Sequence, residues 1–194
     1  MNKKINIRNL TLVSMAIALN VIGALVALGL RLPIYLDSIG TILIACLIGP
    51  KYAVMTGVCG SLVSGITFDP YSIYFAPVQI STGLLAGIMY NKGFLKGKKT
   101  PLGVFIFTLP TSIISACIAA FLFGGVTSSG SSYIVQILSH FNVPMVVGVF
   151  VTQVITDYAD KFVAVIIVAL VVSAMPKNYK LSFNQRMNRQ NGWI

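Results

Sequence analysis

Residues 142–175 form an apolar run long enough to cross a bilayer, yet Gln153, Asp157, Asp160 and Lys161 stand near its middle. An ionised side chain at the centre of a membrane helix costs about 2.5–3.5 kcal/mol on insertion scales, so such residues face a protein interior or a wet cavity. A solitary span in lipid is thereby excluded, and a bundle must surround this segment. Residues three or four apart share a helical face, which predicts one stripe of Gln153, Asp157 and Lys161 with Asp160 beside it. The stripe is either a solute-facing site or an ion pair of Lys161 with Asp157 or Asp160 that neutralises itself and ties helices together.

The remainder of the chain is of the same kind. Of its 194 residues, 56% are hydrophobic and only 9% charged, and the mean hydropathy of +0.87 lies outside the range of soluble globular domains. The expected fold is an all-α integral membrane protein, a single transmembrane domain over residues 1–194 with six spans near 12–30, 35–48, 52–66, 73–90, 102–123 and 144–175. Each span takes roughly 20 apolar residues. The run over 12–30 follows Lys3, Lys4 and Arg8 but is longer than the apolar core of about 7–15 residues in a signal peptide, so it is taken as the first span.

A net charge of +10 invites a nucleic-acid reading, but the basic residues are scattered over tails and short loops between apolar runs. They act as topology signals in a lipid bilayer, with no nucleic-acid partner expected. Lys92, Lys96, Lys98 and Lys99 make the 91–100 loop cytoplasmic, and Lys177, Lys180, Arg186 and Arg189 place the C-terminus on the same side as the N-terminus. The segments 31–37, 67–72 and 124–143 then face outward. The last begins Gly/Ser-rich, and its apolar part, 133–141, is expected to fold back over the outer mouth as a short helix or flap. Asn142 is expected to cap the sixth helix and Pro144 to start it. Small residues at four-residue spacing, Gly57, Ser61 and Gly65 in the third span and Gly83 and Gly87 in the fourth, predict close helix contacts.

The chain has no glutamate, and its aspartates, Asp37, Asp69, Asp157 and Asp160, all lie within or beside apolar segments. Cys46, Cys59 and Cys117 show no paired spacing, so neither a disulfide framework nor a metal site is indicated. Residues 93–100 lack the G-x-x-x-x-G-K-[ST] spacing of a phosphate-binding loop, and no G-x-S-x-G elbow accompanies His140. Asp157 and Asp160 lack the further acidic ligands a divalent ion wants. No enzyme activity, cofactor or metal is therefore expected. What remains is an outward-opening pocket for a small polar ring compound, formed by Asp37, Tyr71, Tyr74, Gln79, Asn142, Gln153, Asp157, Asp160 and Lys161, with Tyr35 and Tyr158 nearby. An interfacial aromatic belt is the other role open to the tyrosines.

Six short spans, the sequence Leu32-Pro33-Ile34-Tyr35-Leu36-Asp37-Ser38-Ile39-Gly40-Thr41, Gly49-Pro50 and Asp160-Lys161 in the last span together resemble the substrate-binding S component of energy-coupling factor vitamin transporters. The resemblance covers nearly the whole chain. It implies a prokaryotic plasma-membrane protein that captures a vitamin-like solute and works with a transmembrane coupling subunit and two cytoplasmic ATPase subunits, tipping in the membrane to deliver its cargo. It also implies a coupling-subunit contact at an A-x-x-x-A pattern in span one. Ser14 and Ala18 hold that spacing here, with Ala16 and Asn20 as the alternative register and packing within the chain's own bundle as the alternative role. A carboxylate and an amine without an arginine cluster tilt the ligand toward an uncharged or cationic heterocycle, a vitamin B6-type pyridine or a thiamin-precursor pyrimidine. The alternative is a self-sufficient secondary transporter or channel, although the inverted repeats that mark many of these are not evident in the two halves.

Overall fold

The structure, a computed structural model, describes residues 7–176. Lys3, Lys4, Lys177, Lys180, Arg186 and Arg189, on which the placement of both termini rests, lie outside the described residues. Within them the regular structure is entirely helical. The helices are α1 (Ile7–Gly29), α2 (Ile39–Leu47), α3 (Pro50–Thr67), the single turn α4 (Tyr71–Tyr74), α5 (Ala76–Asn91), α6 (Thr100–Cys117), α7 (Ser131–His140) and α8 (Met145–Ala174). Ile7–Gly29 and the continuous stretch Gly97–Leu122 are long and apolar enough to cross a membrane. The 30 residues of α8 reach about 45 Å, past the roughly 30 Å of a hydrocarbon core, with the charged residues midway along.

The distribution of polarity is the reverse of that in a water-soluble domain. Met15, Ile22, Ile66, Phe121, Ile155 and Leu170 point outward, while Asn20, Thr41, Gln79, Gln153, Asp160 and Lys161 are buried. Such a surface needs apolar surroundings, and such an interior needs internal hydrogen bonds.

At the centre lies α2, apolar on every side and buried at every position but Leu43, as an enclosed helix must be. It is only about 14 Å long, so residues 35–38 of the segment expected to be a span are irregular chain leading into it. Around it, α1 packs on α2 and α3, α3 on α5, α6 on α8, and α8 also reaches α2. The small-residue stripes meet across the α3–α5 seam: a Cβ at Gly83 would lie 2.8 Å from the Val54 nitrogen, and one at Gly57 would lie 2.9 Å from the Gln79 Cβ. Only a missing side chain allows those backbones to approach so closely.

The segment 131–140 does form a short helix, α7, which lies against α8. The junction that follows differs from expectation. Asn142, exposed and at φ +58°, closes the end of α7 with its N–H donated to the Ser139 carbonyl (3.1 Å), and Pro144 occupies the cap position, so that α8 begins at Met145. An asparagine tolerates the left-handed conformation that ends a helix, and that use won over capping the next one.

Candidate functional site

Five parts of the chain converge beside α2 on a small cavity lined by polar and apolar groups. The first loop contributes Tyr35 and Asp37, α4 Ser72, α5 Gln79, α6 Ser115, and α8 Asp157 and Lys161, with Phe75 and Val78 as its apolar wall. The cavity measures about 20 Å³, room for roughly one water, against the 300 Å³ or more of a typical ligand pocket.

The stripe on α8 divides its labour. Lys161 Nζ lies 2.7 Å from Asp160 Oδ2 in an ion pair that is almost fully buried. The same Asp160 carboxylate accepts the Leu36 backbone N–H at 2.8 Å and the Ser38 hydroxyl at 3.4 Å. These contacts hold Leu36 at φ +53°, a left-handed conformation that a residue with a Cβ rarely adopts. Asp160 therefore anchors the first loop to α8. Asp157, one turn earlier and 7% exposed, faces the cavity, and its Oδ2 has no hydrogen-bond partner. Gln153 sits behind the cavity, donating through Nε2 to the Ser115 hydroxyl at 2.8 Å and so orienting a group that does line it.

A second buried chain fixes the opposite wall. Gly40 donates its backbone N–H to Asn20 Oδ1 at 2.7 Å, which leaves Asn20 Nδ2 to donate to Thr41 Oγ1 at 2.8 Å. Thr41 Oγ1 then donates to Gln79 Oε1 at 3.0 Å, and Gln79 Nε2 donates to the Asp37 carbonyl at 3.3 Å. Both ends are set by backbone groups whose polarity cannot reverse, so every amide and hydroxyl between them has one orientation. The result is a Gln79 whose oxygen accepts from Thr41 and whose amide spends one N–H on the Asp37 carbonyl, leaving one uncommitted to this chain.

Two loops meet over the end of the cavity that Tyr35 lines. Tyr35 Oη lies 3.4 Å from Thr127 Oγ1 and 3.5 Å from Ser128 Oγ, Gly130 donates its N–H to the Leu32 carbonyl at 3.1 Å, and Arg31 reaches the Tyr133 hydroxyl at 3.3 Å. Beneath them Ser72 donates to Asp69 Oδ2 at 2.8 Å, steadying the turn that carries Phe75.

Of the residues expected at the site, Asp37, Gln79, Asp157 and Lys161 line the cavity, while Gln153 and Asp160 act from behind it. Tyr71 and Tyr74 lie outside, both packed edge-on against Phe123 with centroids 4.8 Å and 5.3 Å away, and Asn142 is exposed at the end of α7. Tyr158 is turned to Phe105 and Phe162. Ser72, Phe75, Ser115 and the Asn20–Thr41 pair were not anticipated. Asn20 carried a signal, a lone amide in the middle of an apolar run. Serine and threonine carried none, because inside helices they so often satisfy themselves on the preceding turn. On α1, Ser14 and Ala18 are exposed, whereas Ala16 and Asn20 are buried against α2. Comparison with family models, with curated proteins and with solved structures finds no match to this chain.

Proposed function

We propose that this chain is the membrane-embedded solute-capture subunit of an ATP-driven importer of the energy-coupling factor type. It takes a small vitamin-like heterocycle from outside a prokaryotic plasma membrane, with a vitamin B6-type pyridine or a thiamin-precursor pyrimidine as the favoured ligands. Six segments cross the membrane and both termini are cytoplasmic. The observation that carries this proposal is a polar cavity, with Asp37, Asp157 and Lys161 in its wall, inside a bundle whose outer surface is apolar. Burying such groups is costly unless they serve something. Two loops lie over the cavity, joined by side-chain hydrogen bonds, one backbone hydrogen bond and the close approach of Gly130 to the Arg31 and Leu32 carbonyls, and we take this seam as the one that parts to admit a solute.

The exposed small residues Ser14 and Ala18 support a docking face on α1 for a transmembrane coupling subunit, which works with two cytoplasmic ATPase subunits. Capture without chemistry accounts for the composition of the cavity, which pairs aromatic and polar groups in the manner of a binding site. Copurification from native membranes tests the assignment directly. The coupling subunit and ATPases should accompany the chain, and purified chain alone in vesicles should bind solute but not concentrate it. Uptake against a gradient by the isolated chain, driven by an ion gradient, would replace this proposal with a secondary transporter.

A further inference from the structure

The cavity wall holds an imbalance. Asp37 and Asp157 stand in the wall with a single amine, Lys161, and that amine is bonded to a further carboxylate behind the wall, Asp160. Arg31 does not redress it, since its guanidinium is directed to the Tyr133 hydroxyl at the outer surface. Asp37 Oδ1 and Asp157 Oδ2 are both buried without a hydrogen-bond partner. Thr82, Thr108, Ser112 and Thr152 also keep buried hydroxyl oxygens without a partner, so such an atom calls for an explanation and does not by itself name a ligand. Here two such oxygens belong to residues that line one cavity, and Asp157 is more than nine-tenths buried.

We infer that the pocket is built for an organic cation, a protonated amine or amidine-like group on an aromatic ring, received by the carboxylates of Asp37 and Asp157. This rests on the solute-capture proposal and narrows its ligand to one charge class. The ring is indicated by Tyr35 and Phe75, two aromatic side chains in contact with each other (centroids 6.1 Å apart) in the wall of the same cavity, where a flat or cationic group would meet them. A bare metal ion fits less well, because no three metal-ligating side chains converge among the described residues. Lys161 has used one of its donors on Asp160 and Gln79 one of its two on the Asp37 carbonyl. Each has N–H groups left, so the ligand carries an acceptor, a hydroxyl or ring nitrogen, beside its positive group.

The test uses the full chain in detergent. Solute released from it by heat is identified by mass spectrometry, and its melting temperature is read with aminomethylpyridine, hydroxymethylpyridine and pyridinecarboxylate, which are similar in size but cationic, neutral and anionic. The amine should bind about thirtyfold or more tightly than the alcohol, as loss of a buried charge partner implies. In Asp157→Asn and in Asp37→Asn that preference should fall to about threefold or less. A released compound that is neutral or anionic, or preference for the alcohol or the acid, overturns the cation class and leaves solute capture standing. Stabilisation by sodium or calcium chloride alone, with no response to the amine, overturns the organic ligand. Release of no compound together with no response to any ring overturns both.

Discussion

Asp157 and Asp160 stand one helical turn apart on α8, yet substitution should affect them in opposite ways. Asp160 holds three donors, among them the Lys161 ammonium, so Asp160→Asn weakens the anchor of the first loop together with the ion pair, and Lys161→Met leaves the buried Asp160 carboxylate without its counter-ion. Each should lower stability by about 3–5 kcal/mol, with the double variant recovering much of the loss. Asp157→Asn removes a carboxylate whose Oδ2 has no partner, so it should change stability by less than about 1 kcal/mol, or raise it, while weakening solute binding. Thermal melts and ligand titrations on the same samples check this. Destabilisation by Asp157→Asn equal to that by Lys161→Met would make Asp157 part of the structural pair.

Among the elements, α1 presents two faces with different consequences. Ala18 is exposed, so Ala18→Trp should leave folding and solute binding intact while preventing assembly with a coupling subunit. Ala16 is 2% exposed and its carbonyl lies against Gly40, so Ala16→Trp should lower melting temperature and binding together. Copurification beside a melt separates the two, and loss of folding in Ala18→Trp would place that face inside the bundle. Periodicity made much of this level legible in the sequence. The α8 stripe and the small-residue faces of α3 and α5 follow from spacing, and the short α7 from an apolar stretch inside a loop, whereas the pairing of α3 with α5 came only with the fold. What spacing could not reveal was which partner each polar group takes. Lys161 has candidates on either side, and only the path of the irregular chain at residues 31–38 decides for Asp160. Tyr71 and Tyr74 read as site residues by type, but the fold gives their rings to Phe123. Asn142 reads as a cap by type, but the turn needed its tolerance of positive φ.

For the molecule as a whole, closure is a property of the seam between residues 31–35 and 127–133. Tyr35→Phe removes the hydroxyl that reaches Thr127 and Ser128 across the seam at 3.4 Å and 3.5 Å. It should speed solute exchange at least about threefold, since a cavity of about 20 Å³ admits a solute only when its cover moves. Exchange measured with labelled ligand at unchanged melting temperature checks the point, and unaltered exchange would mean that solute enters elsewhere. The hydrogen-bonded chain from Asn20 through Thr41 to Gln79 adds a thermodynamic obligation. It starts on the inner face of the helix whose outer face carries Ser14 and Ala18, and it ends in the cavity wall. If a neighbour that seizes α1 shifts this chain, the factor by which it alters the hold on solute must equal the factor by which solute alters the hold on the neighbour. Loading and docking would then be two readings of one coupling energy, and measuring either would fix the other.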